Sequence, residues 1–127
     1  MQRWLGFASA LIGALAVVLD ALGAHLWRPD FSETALDSFQ TGVRYLLVHA
    51  VLLFALARAD RALRSRLMRT CALVILLGTL LFGLGLVLWT TQDMAFARRC
   101  APWGGSLLIL GWTGLALASL FDRRLSV

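Results

Sequence analysis

In a chain of 127 residues, 60% hydrophobic before its 11 glycines are counted and 15% charged, there is more apolar side chain than one soluble core can bury. That balance excludes a soluble enzyme, a disordered regulator and a secreted disulfide scaffold, and leaves an integral membrane protein. The net charge of +5 comes from twelve arginines set mostly beside long apolar runs, which reads as headgroup anchoring rather than a nucleic-acid surface.

A bilayer core of about 30 Å takes roughly 20 helical residues to cross. The first candidate span runs over 4–27, interrupted only by Asp20 and His25. Its Met1–Arg3 start and the small residues Ala21 and Gly23 would also suit a cleaved signal peptide. The length of the segment and the three spans behind it favour an uncleaved helix. Between this span and the next, Pro29 blocks continuation, and Ser32 followed by Glu33 forms a helix start. Leu36, Phe39, Gln40 and Val43 then share a stripe, which predicts a short interfacial helix, with Gly42 at the bend into the second span.

The second span is expected over 42–59. Only 13 uncharged residues separate Arg44 from Arg58, so both arginines are expected to snorkel to the interfaces. The third, over 69–92, and the fourth, over 101–121, lie in uncharged stretches of 23 and 22 residues. Pro102 suits the first turn of the fourth helix. Short connections imply an antiparallel up-down-up-down bundle, all-α and forming a single domain over 1–127.

Orientation follows from arginine placement. With the N-terminus inside, Arg3, Arg58, Arg61, Arg64, Arg66, Arg69, Arg123 and Arg124 are cytoplasmic, and Arg28, Arg44, Arg98 and Arg99 are outside. Eight against four places both termini in the cytoplasm. The acidic Asp30, Glu33 and Asp37 fall in the first outer segment. Cys71 and Cys100 are expected at opposite faces and cannot pair within one chain.

Helices in lipid associate through small residues and buried polar contacts. Gly6, Ala10 and Ala14 recur every fourth position on the first helix. Gly78, Gly83 and Gly85 lie on the third, and Gly104, Gly105, Gly111, Gly114 and Ala118 on the fourth. These read as packing surfaces, one of which could also serve a homo-oligomer.

Asp20 and His49 each lie seven residues inside their outer helix ends, so each sits about 10 Å deep. Asp20 can therefore meet His49, or Arg44 one turn above it, and Tyr45 shares a face with His49. The expected cluster is Asp20, Arg44, Tyr45 and His49, with His25 near the mouth. It reads either as structural glue or as a ligand site, with Asp20, His25 and His49 as weak metal candidates. No nucleophile elbow, P-loop or dinucleotide motif is present. A non-enzymatic accessory or interaction subunit without cofactor is the leading expectation, its partners being the bilayer and a larger membrane complex or a second copy. The alternative is a small transporter or a metal- or proton-responsive protein using the polar cluster.

Several short strings occur in a recognisable order. They are Leu22-Gly23-Ala24-His25, Gln40-Thr41-Gly42 leading through Tyr45 to His49, Leu77-Gly78-Thr79 with Phe82, and Pro102 with Gly104-Gly105 and Gly111-Trp112. In this order the chain resembles the YgdD-like family of small four-span bacterial inner-membrane proteins. That family is catalogued as domain of unknown function four-two-three, with a eukaryotic relative, transmembrane protein two-five-six. The arginine-only, Ala-, Leu- and Gly-rich composition also fits a bacterial source. The chain departs from the family pattern at Asp20, where a small residue is usual, and at Gly83-Leu84-Gly85-Leu86, where a small polar run is usual. It is therefore read as a divergent member. The resemblance implies the fold and lends no reaction.

Overall fold

The structure, a computed structural model, describes residues 1–59 and 65–121. Arg61, Arg64, Arg123 and Arg124, all counted in the charge argument, lie outside the described residues. Among the described residues the secondary structure is entirely helical, and four helical stretches are long and apolar enough to cross a membrane: Gln2–Asp30, Glu33–Arg58, Arg66–Gln92 and Ala95–Leu120.

The first stretch is helix α1 (Gln2–Leu22), a π-helical turn (Gly23–Trp27) and a 3-10 turn (Arg28–Asp30) that carries Pro29. Helix α2 (Glu33–Arg58) starts where Ser32 accepts a hydrogen bond from the Ala35 backbone N–H at 3.2 Å. It then runs unbroken through Gly42. The separate interfacial helix expected before the second span is therefore the opening turns of α2. Polar residues there do not end the helix, because its backbone bonds are internal whether it lies in lipid or in headgroups.

The third stretch is α3 (Arg66–Thr79), a π-helical turn (Leu80–Leu84) and α4 (Gly85–Gln92). Asp93, in the left-handed region at φ 51°, turns the chain into α5 (Ala95–Phe121). Pro102 lies well inside α5, not in its first turn as expected from the sequence. Its missing N–H leaves the Arg98 carbonyl without the usual helical partner.

Each stretch packs chiefly on its neighbours in sequence: α1 on α2, α2 on the third stretch, and the third stretch on α5. The third is accordingly the most covered, with 44% of its apolar window buried against 33% for the first and 28% for the fourth. Close approaches pair Gly6 with Ala57 and Gly13 with Ala50, and, further along, Gly78 with Gly104 and Leu108 and Gly111 with Ile75. Residue numbers thus rise on one helix of each pair as they fall on the other.

The buried face of α1 is Leu5, Ser9, Ile12, Ala16 and Leu19, in alternating steps of four and three. Of the expected stripe of small residues on α1, Gly6 faces Ala57 of α2, whereas Ala10 and Ala14 are exposed. Two apolar clusters fill the interior. One joins Ile12, Ala16 and Leu19 to Phe39, Val43, Leu46 and Val87, and the other joins Leu53 to Met68, Ile75, Leu108 and Leu115. Phe39 closes the first, with Trp27 edge-on at 5.8 Å and Phe31 at 5.4 Å.

Two crossings depend on glycine. A Cβ on Gly42 would stand 2.8 Å from the Gly83 carbonyl oxygen, and one on Gly78 would stand 3.0 Å from that of Gly104. Backbones meet there so closely that a side chain at Gly42 would clash outright and one at Gly78 would force its neighbours to shift. Hydroxyls within the spans bond back to their own helices, as Ser9 does to the Leu5 carbonyl at 2.5 Å, Thr79 to Ile75 at 2.7 Å and Ser119 to Leu115 at 2.8 Å. Every buried side-chain nitrogen and oxygen among the described residues has a partner, as a hydrocarbon surrounding demands.

Candidate functional site

The third stretch separates α2 from α5, so these helices pack on it rather than extensively on each other. The gap between them is a cavity of about 600 Å³. Arg44 lies at one end, Thr113 at the other, Tyr45 and Val48 on the α2 side and Ile109 on the α5 side. Its floor is His49, 5% exposed, and Leu108, 3% exposed, while Ile109 is 69% exposed at the rim. The cavity is therefore a groove open to the side of the protein.

His49 bridges it. Ring Nδ1 lies 2.8 Å from the Tyr45 carbonyl oxygen, one helical turn earlier. Nε2 lies 3.2 Å from the indole nitrogen of Trp112 on α5. A carbonyl only accepts and an indole N–H only donates. His49 must therefore carry its proton on Nδ1, donate it to Tyr45 and accept from Trp112 with Nε2. A second proton, on Nε2, would set donor against donor and break the link to α5.

Aromatic contacts hold this geometry. The Tyr45 ring stacks on His49 at 5.5 Å and meets Phe82 at 4.5 Å, and Trp112 stands edge-on to His49 at 6.2 Å. Phe82 belongs to the π-helical turn Leu80–Leu84. A π turn offsets the side chains beyond it from the regular helical register, and here it occurs where Phe82 reaches the groove. On the α5 side Gly105 keeps the wall thin, its Cβ position lying 3.6 Å from the Phe82 ring.

The structure brings together three members of the sequence-derived cluster, Arg44, Tyr45 and His49, all lining the groove. It does not bring Asp20 or His25 to them. Both side chains are exposed, on the first stretch, and neither lines the groove. The expected pairing of Asp20 with His49 is not formed, because both ring nitrogens of His49 are engaged elsewhere. The metal set of Asp20, His25 and His49 is likewise not assembled. Among the described residues no group of three or more His, Cys, Asp or Glu side chains could hold a metal ion.

Sequence reasoning missed Trp112 and Phe82 as site residues. A signal for Trp112 exists. Tryptophan gathers at membrane interfaces, where its N–H meets water, and one placed mid-span needs an acceptor inside the protein. Where α4 meets α5, by contrast, Arg98 lies 4.9 Å over the Trp89 ring, a cation–π contact.

Fold and site together define a small, four-span helical membrane protein with an apolar lateral groove. A family model described as "Protein of unknown function (DUF423)" matches residues 19–105, and the chain belongs to this family. It is 30% identical over 112 residues to the UPF0382 membrane protein YwdK of Bacillus subtilis, covering 87% of this chain and 91% of that protein. A UPF0382 membrane protein of Haemophilus influenzae is 31% identical over 117 residues, covering 91% of this chain and 93% of the relative. The UPF0382 inner membrane protein YgdD of Escherichia coli K12 is 25% identical over 126 residues, covering 99% and 96%. No solved structure matches the chain. The family resemblance read from the short motifs is thus confirmed, and these identities mark a divergent member. The relatives' names and the four apolar helices support an inner-membrane location.

Proposed function

We propose that this protein is a non-enzymatic accessory or interaction subunit of the inner membrane, with the α2–α5 groove as its binding face. The observation that carries this reading is the His49 bridge. It occupies the one buried histidine with internal hydrogen bonds and leaves a groove floor with neither free base nor acid. Such a floor suits an apolar binding partner taken from the plane of the bilayer, not proton or group transfer. In this reading the spans alternate up-down-up-down and both termini are cytoplasmic. The eight-to-four arginine asymmetry and the opposed residue numbering at each packed pair support that arrangement.

Purification of the tagged protein in mild detergent, followed by mass spectrometry, tests the role. A stoichiometric companion that is lost on Ile109→Trp, which fills the groove, is the expected result. Movement of ions or small solutes by the purified chain alone in vesicles would overturn it in favour of a transporter.

A further inference from the structure

We infer that the partner in the α2–α5 groove is a transmembrane helix of another protein, carrying one carboxylate that pairs with Arg44 inside the hydrocarbon. This rests on the reading of the groove as the binding face and names the chemistry of its occupant. Three observations lead to it.

The first is depth. Gly42 meets Gly83, Leu86 and Val87 of the third stretch, and Leu46 meets Gly83. Arg44, between them on α2, therefore stands level with Gly83 or Leu84. The uncharged run of the third stretch extends from Thr70 to Gln92, so its middle lies only a few residues away. Its nearer end, Gln92, is about 12 Å from that level at the helical rise. A snorkelling arginine covers about half of this, so the interface expected from the sequence is out of its reach.

Charge is the second. A charge at such depth is met by pairing or by a water-filled cavity, and this groove is apolar. Among the described residues no Asp or Glu lines it. Asp20 stands near the level of Arg44, since Gly6 faces Ala57 and Gly13 faces Ala50, but no residue of α1 lines the groove. A carboxylate from outside completes the pair, accepting two parallel N–H bonds from the guanidinium. Lipid headgroups do not come down to this level, whereas a side chain on a spanning helix stands there. A second copy offers Asp20 at this depth, but in the row of Gly6 and Gly13 beside its own α2, where another helix pair has little room.

Shape is the third. Gly105 and Thr113 line the groove along α5 and are eight residues apart, about 12 Å or two helical turns. Val48 and Ile109, both exposed, form apolar rims. The volume of about 600 Å³ takes side chains from one face of a helix lying along those rims. Helices in lipid associate through such packing together with a buried polar contact, and the groove provides both.

The test is energy transfer in phosphatidylcholine vesicles at mildly alkaline pH, between the dye-labelled full chain and labelled leucine-based transmembrane peptides. One peptide carries Asp about three residues from its centre, the depth of Arg44; a second has Asn there, and a third has Asp near its end. The expected result is one central-Asp peptide per chain, held about tenfold more tightly than the other two, as a charge-assisted bond of ordinary strength provides. Arg44→Gln should remove the preference, and Arg44→Lys should retain most of it. Arg44→Glu should transfer the preference to a peptide with Lys in place of Asp, and Ile109→Trp should weaken every peptide alike. Both positions are exposed, so the variants leave the core intact, and unchanged melting checks this. Equal binding of the Asp and Asn peptides by the wild type, or a preference that survives Arg44→Gln, would overturn the proposal. So would a preference that emerges only on Asp20→Asn, which would mean that Arg44 is already held within the chain. Self-association of the chain that excludes the peptide and is lost on Asp20→Asn would put a second copy in the groove, overturning the assignment to another protein while leaving the groove as a binding face. Insensitivity of peptide and companion binding alike to Ile109→Trp would end both readings.

Discussion

A histidine 5% exposed within an apolar span stays buried only if both ring nitrogens find partners. The carbonyl of Tyr45 supplies one from within α2, and the Trp112 indole supplies the other from α5. Trp112→Phe removes the donor and strands Nε2 in hydrocarbon, so it should cost about 1–3 kcal/mol, read as a lower melting temperature in detergent. Combining it with His49→Phe removes the stranded group and should recover much of that loss. Strictly additive losses would contradict the bridge. Nitrogen-15 spectra of histidine-labelled protein should show the proton on Nδ1 of His49; a proton on Nε2 would reverse the donor assignment. The cluster was half legible from sequence. The i, i+4 spacing correctly links Tyr45 with His49. Depth alone joins Asp20 to them, and depth fixes height along a helix but not azimuth. Asp20 follows Leu19, the residue on the buried face, and the helix turns it about 100° away from that face.

At the scale of the elements, glycine positions that look alike in sequence differ sharply in what surrounds them. A methyl on Gly104 would collide with the Phe82 backbone nitrogen and stand 2.9 Å from the Gly78 carbonyl oxygen. Gly104→Ala must therefore push α5 off the third stretch, at about 1–3 kcal/mol. A methyl on Gly13 would rest 3.6 Å from the Ala50 methyl, an ordinary contact, and alanine is the better helix former by about 1 kcal/mol. Gly13→Ala should thus melt at or above the wild-type temperature, and Gly104→Ala well below it. Equal melting of the two variants would refute the backbone crossing. The four apolar stretches were legible from hydropathy because lipid forces continuous helices. Their ends were not. Charged residues mark where hydrocarbon stops, and α2 and α5 continue past that boundary, to Glu33 and Ala95.

For the whole molecule, spans packed on their sequence neighbours leave α1 and α5 as the least covered members, and the groove opens beside α5. The proposed orientation is checked in a cysteine-free background, with Cys71 and Cys100 both replaced by alanine. A cysteine at the exposed Ser32 should react with a membrane-impermeant maleimide in spheroplasts, and one at the exposed Ala59 only after permeabilisation. The reverse pattern would invert the topology. Hydropathy and charge made the membrane architecture legible, but the groove was not, because it arises from the third stretch holding α2 and α5 apart, a tertiary relation with no local pattern. The central claim is that this groove is the face that binds. It is tested most directly by placing a photo-crosslinking amino acid at Ile109, in the groove, and separately at Val17, exposed on α1, in living cells. After irradiation, one discrete product of defined mass at Ile109, with only diffuse lipid labelling at Val17, is the predicted result. Indistinguishable diffuse labelling at both positions would contradict it.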